Sequence, residues 1–131
     1  MKELLFDHFQ DSVDELLIRH KSILDVLTKF QESQTRVNRA VVKAVTTCGC
    51  IEIHSKKQNF SGEISIQELK SFLDTHLKGG LCENCKDVIE KELGNNMFYM
   101  AALCNLLDIS MYDVLIKEDE KIKTLGIFNM T

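Results

Sequence analysis

The chain has 131 residues, with 44% hydrophobic and 27% charged residues and a formal net charge of −4. That is the size and balance of one globular domain spanning residues 1–131, large enough to bury a core without disulfides. The acidic balance excludes a general nucleic-acid surface, which is normally basic. No apolar run reaches membrane-spanning length, and charge interrupts the opening Met1-Lys2-Glu3-Leu4-Leu5-Phe6-Asp7 too early for a signal peptide. A cytoplasmic chain with reduced thiols is therefore expected, with no membrane partner.

Proline is absent, so nothing forbids long helices locally. Leu4, Leu5 and Phe9 open a helical rhythm, and Ser12-Val13-Asp14-Glu15 has the Ser-x-x-Glu form of a capping box. Val13, Leu16, Leu17, Ile23, Leu24, Leu27, Phe30, Val37, Val41, Ala44 and Val45 then recur at three- or four-residue spacing, which predicts one or two helices with any break at His20-Lys21-Ser22. This run should stop near Thr46-Thr47. Ile51-Glu52-Ile53 alternates like a very short strand, and the polar stretch through Ser61-Gly62 predicts a surface loop.

A second capping box, Ser65-Ile66-Gln67-Glu68, predicts a helix through Leu69, Phe72, Leu73 and His76, stopped by Gly79-Gly80. The strongest helical pattern runs from about 84 to 107. Val88, Ile89, Leu93, Met97, Met100, Ala101, Cys104 and Leu107 share its broad apolar face, expected to be the most buried surface of the fold. Ser110 caps a last helix carrying Val114, Leu115, Ile116, Ile122 and Leu125, with Gly126 suited to its end. The fold class is all-α, about five helices, with a cysteine-rich connection.

Four of the five cysteines form two tight pairs, Cys48-Gly49-Cys50 and Cys82-Glu83-Asn84-Cys85. Thiolates with two residues between them can grip one tetrahedral ion, and following backbone amides can hydrogen-bond the sulfurs. The second pair precedes a strong helix, so Lys86 and the helix N-terminus favour thiolate there. Cys-x-Cys is a less common grip, and Gly49 frees the backbone to wrap an ion. A structural metal site is the leading reading, with zinc ahead of iron–sulfur and with His54 or His76 able to replace one sulfur. A redox dithiol at Cys82 and Cys85 and inert buried thiols are the competing readings. Cys104, alone on an apolar face, reads as core.

The stretch Glu92-Leu93-Gly94-Asn95, followed by the aromatic-containing helix through Met97-Phe98-Tyr99-Met100 and the turn Asp108-Ile109-Ser110, resembles the second half of the MazG-type nucleoside triphosphate pyrophosphohydrolases. The resemblance covers about a quarter of the chain. It implies an all-α bundle assembled as a dimer or tetramer that binds magnesium and cleaves nucleotides between the α and β phosphates. The whole chain also resembles small bacterial proteins of no assigned function with the same paired cysteines.

The family's Glu-x-x-Glu and Glu-x-x-Asp motifs set four carboxylates on adjacent turns around magnesium. Here Glu92 matches the first acid of the second motif, Asn95 stands where the aspartate belongs, and no Glu-x-x-Glu occurs. Magnesium favours hard anionic oxygens, so this set is depleted. Arg36, Arg39 and Lys43, at i, i+3 and i+7, share a helix face that can receive a phosphate or simply face water.

Three functions follow as expectations. The leading one is a non-enzymatic or weakly active MazG-like helical domain with a structural four-cysteine metal site, acting through protein or nucleotide-type ligand contacts as a homo-oligomer. The others are a magnesium-dependent pyrophosphohydrolase with Glu92 as a catalytic ligand, and a thiol-based redox or metal sensor.

Overall fold

The computed structural model describes residues 1–58, 62 and 65–125. Among them are five α-helices: α1 (Lys2–Leu16), α2 (Ile23–Lys43), α3 (Ile66–Phe72), α4 (Glu83–Leu106) and α5 (Met111–Leu125). A π-helical turn, Ala44–Cys48, prolongs α2, and two short strands, β1 (Ile51–Ile53) and β2 (Leu77–Gly79), pair antiparallel. The all-α expectation of about five helices holds. No single helix among the described residues is long and apolar enough to cross a membrane. Chain contacts divide into two compact units, residues 1–36 with 92–131, and residues 37–91; α2 and α4 each supply residues to both.

In the first unit, Val13, Val26, Ala101, Ala102 and Met111 form the buried core, with Phe6, Phe9, Leu17, Phe98 and Cys104 packed around it. The adjacent alanines carry almost no side-chain bulk, which lets neighbouring helices approach closely. A polar clamp joins α1 to the α4–α5 turn. Gln10 Nε2 donates to Asn105 Oδ1 and to the Ile109 carbonyl, both at 3.0 Å, while Gln10 Oε1 accepts the Met111 N–H at 2.8 Å. Gln10 is buried, and these bonds satisfy an amide that would otherwise be costly to desolvate. Buried Asn96 donates to Ser33 Oγ at 3.0 Å on the same principle.

Helix ends follow from local chemistry. The expected break falls between α1 and α2, where His20 takes φ +57° and Ser22 Oγ accepts the Leu24 N–H at 3.3 Å. Asp108, at φ +56°, closes α4, with the Ile109 N–H on the Cys104 carbonyl at 2.8 Å. Ser110 Oγ then accepts the Asp113 N–H at 3.2 Å, starting α5 as its sequence predicts. Gly126 lies outside the described residues.

Three expectations are corrected. Ser12 lies inside α1 and does not start a helix, because the apolar rhythm of Leu4, Leu5 and Phe9 is already helical from Lys2. Ser65 does cap α3, accepting the Glu68 N–H at 3.2 Å, but that helix ends at Phe72. His76 is at φ +62°, and Leu77–Gly79 is a strand. Asp74 enforces the change, since its Oδ1 accepts the His76 N–H at 3.2 Å while its own backbone is held by the Gln58 amide. Finally, the apolar face of α4 is not the most buried surface. Ile89 and Ala101 are buried, but Val88, Leu93, Met97, Met100 and Leu107 are 37–54% exposed, because the core uses the Phe98, Ala101 and Ala102 side of the helix.

Candidate metal centre

The second unit is built around the cysteines. Its core is Ala44, Ile51 and Ile89, with Ala40, Val45, Cys50 and Cys85 packed against them. The register pairs Ile51 with Gly79, Glu52 with Lys78 and Ile53 with Leu77. In an antiparallel pair the residue before one strand lies beside the residues after the other. The ribbon therefore brings Cys50, just before β1, to the end where the chain leaves β2 for Gly80, Leu81 and Cys82. Two glycines make this possible. Gly79 has φ +86°, and a Cβ there would sit 2.6 Å from the Cys50 carbonyl oxygen, so only glycine allows the backbones to close. Gly49, at φ +79°, ends the π-helical turn with its N–H on the Ala44 carbonyl at 2.9 Å and reverses the chain between Cys48 and Cys50.

The result is a compact group of four sulfurs. The Sγ atoms of Cys48, Cys50, Cys82 and Cys85 all lie within 4.8 Å of one another, and Cys48 Sγ is 3.8 Å from Cys82 Sγ. All are free thiols; a disulfide would hold two sulfurs about 2.05 Å apart. Sulfurs bound at about 2.3 Å in a tetrahedron around one ion sit about 3.8 Å from each other. The Cys48–Cys82 pair already stands at that separation, and the other sulfurs lie within about one ångström of it or closer.

Helix α4 contributes directly. The Lys86 N–H bonds the Cys82 carbonyl at 2.9 Å and the Cys85 N–H points at Cys82 Sγ at 3.4 Å, so the Cys82 sulfur occupies the place of a helix-capping oxygen. That N–H is the first influence lowering the Cys82 thiol to about 7, followed by the Cys85 side chain. Cys85 moves the other way, up to about 12, chiefly through its hydrogen bond to Cys82 and then through burial. At Cys48 the Cys50 backbone N–H lowers the value, but the Cys82 and Cys50 side chains and desolvation leave it raised. Crowded thiols do not all ionise together, since each new thiolate repels the last. A divalent cation at their centre removes that repulsion.

The other sequence candidates stand apart from this group. His54 Nε2 pairs with Glu52 at 2.9 Å, and His76 Nε2 is buried with no hydrogen-bond partner among the described residues; neither joins the sulfurs. Lys86 is 3.9 Å from Glu90. Arg36 is engaged by Glu32 at 3.1 Å, with Lys29 on the other carboxylate oxygen at 3.3 Å, while Arg39 and Lys43 are exposed on α2. The Arg36 hydrogen bond, then that of Lys29, holds the Glu32 carboxyl below its ordinary value. Glu92 is half-buried in α4, and the cysteines are the only group of three or more metal-ligating side chains among the described residues. Cys104 packs in the other unit's core, where burial raises its thiol.

Sequence reasoning missed the π-helical turn and the role of Gly79. The available signal for the latter was a glycine ending a Leu-Lys-Gly run, which marks close backbone approach as well as a helix stop. Comparison of the chain with protein-family models, curated proteins and solved structures finds no match.

Proposed function

We propose that Cys48, Cys50, Cys82 and Cys85 hold a structural zinc ion, and that the chain is a non-enzymatic, zinc-stapled helical protein of the MazG-like kind that works through contacts with other proteins. The observation that carries this is the four-sulfur group, with Sγ atoms within 4.8 Å of one another and no disulfide. Zinc suits it because zinc takes four thiolates tetrahedrally and has no redox chemistry of its own to disturb them. A reducing, cytoplasmic setting suits the free thiols. Iron also accepts four thiolates, so the test is elemental analysis of protein purified without added metal. One zinc per chain is expected; iron or no metal refutes the reading.

The protein partner is a second copy. Leu5, Phe6, Phe9 and Met97 line a shallow hollow of about 210 Å³ in the first unit, and Leu5 and Met97 there are 65% and 45% exposed. Leu4 and Leu93 extend the apolar surface of the same helices at 69% and 45% exposed. Chains that stay monomeric rarely leave such surfaces open, and a self-complementary apolar patch is the simplest cover for one.

Hydrolysis is not part of this reading. Glu92 belongs to no group of three or more ligating side chains among the described residues, and Glu32 is already neutralised by Arg36 and Lys29. A pyrophosphate-release assay with magnesium and nucleoside triphosphates should show no turnover. Turnover that Glu92→Gln abolishes would replace this reading with the hydrolase.

A further inference from the structure

The four sulfurs differ in their surroundings. Cys50 and Cys85 pack against Ala44, Ile51 and Ile89, and Cys50 Sγ lies 3.9 Å from the Ala44 carbonyl oxygen. Cys48 is exposed, as are Thr46, Thr47 and Gly49 around it, and nothing lies within 4 Å of the Cβ position of Gly49. Its neighbour across the group is Cys82 at 3.8 Å. Cys48 is therefore the one exposed sulfur of the four, half-buried Cys82 lies beside it, and Cys50 and Cys85 pack against the apolar core.

We propose that exposed Cys48 and its neighbour Cys82 form a peroxide-sensitive switch: a peroxide joins Cys48 to Cys82 as a disulfide, and losing those two sulfurs releases the ion that four hold. The release rests on the metal-centre reading; the pairing does not. The Cys48 sulfur attacks one peroxide oxygen and the O–O bond breaks. The departing hydroxide takes a proton and leaves as water, and Cys48 becomes a sulfenic acid. The Cys82 thiolate then attacks that sulfur, and the S–O bond breaks as the S–S bond forms. The second hydroxide also takes a proton and leaves as water. Two thiolates lose two electrons to give one disulfide, and one peroxide gains them to give two waters. Closing the pair moves two sulfurs from 3.8 Å to about 2.05 Å and leaves Cys50 and Cys85, too few ligands for a closed structural site.

The test treats the protein as isolated with hydrogen peroxide beside a chromogenic zinc chelator, alkylates the remaining thiols and maps the linked peptides. Cleavage after Glu83 separates Cys82 from Cys85, and fragmentation at Gly49 separates Cys48 from Cys50. The expected result is a Cys48–Cys82 link with Cys50 and Cys85 alkylated, release of one ion per chain, and reversal by a thiol reductant with zinc. Cys104→Ser should behave identically. A first link within either pair, or metal retained after the Cys48–Cys82 link has formed, overturns the proposal, as does a link that Cys104→Ser abolishes. A chain isolated without metal refutes the metal centre instead, and the peptide map then decides the pairing alone.

Discussion

Cys82 has two roles that a single substitution separates. Its sulfur accepts the Cys85 N–H at the start of α4 and also belongs to the four-sulfur group. Serine is among the best capping residues, so Cys82→Ser keeps the helix start and removes a ligand. If the ion is structural, its binding free energy is folding free energy, and the variant should lose zinc and melt at the temperature of chelator-treated wild type. Unchanged zinc content and melting temperature would contradict this. The thiol's acidity gives a second handle. With metal withheld, Cys82 ionises at about 7 against an ordinary 9.0. Its depressed value stabilises the folded chain above the ordinary value and loses that contribution as pH falls through about 7. Alkylation of the reduced, metal-free protein should therefore label Cys82 first, with a midpoint near pH 7. Equal labelling of all five cysteines with a midpoint near 9 would rule that out. Both residues of this pair were readable from Cys82-Glu83-Asn84-Cys85 alone; the Cys82 sulfur as a helix cap was not, because sulfur is absent from the usual capping set.

At the scale of elements, the two-stranded ribbon positions the centre. Gly79 combines φ +86° with a Cβ position 2.6 Å from the Cys50 carbonyl, whereas Gly49 at φ +79° faces open space. Alanine at either position adds left-handed strain of about 1–2 kcal/mol. Only at Gly79 must the backbone that carries Cys50 also move. Gly79→Ala should accordingly weaken zinc binding at least tenfold in a chelator competition, and Gly49→Ala much less. Equal effects would mean that the ribbon does not position the sulfurs. The elements themselves were unevenly readable. The break after α1, the cap at Ser110 and the strand at Ile51-Glu52-Ile53 follow from neighbouring residues, and the structure has all three. The end of α3 does not, because β2 exists by pairing with β1 across 23 intervening residues, 54–76, a tertiary contact that overrides the helical spacing of Leu69, Phe72 and His76. The α4 face failed for the same reason. Periodicity finds an apolar stripe but not which edge of it meets Val13, Val26 and Met111.

For the molecule as a whole, the cysteine spacing pointed to four sulfurs that now lie together, while nothing in the spacing named the ion or the partner. The exposed Leu4, Leu5, Leu93 and Met97 give the self-association proposal a direct check. Sedimentation equilibrium should give a dimer or larger, and Leu5→Glu with Met97→Glu should return it to monomer; a monomeric wild type at all accessible concentrations would exclude the second copy as the cover. X-ray absorption at the zinc edge, on protein purified without added metal, reads ligand type and distance together. A single shell of four sulfurs at about 2.3 Å is the predicted result. A shell containing nitrogen or oxygen in place of any of the four sulfurs, or no zinc to measure, would contradict it.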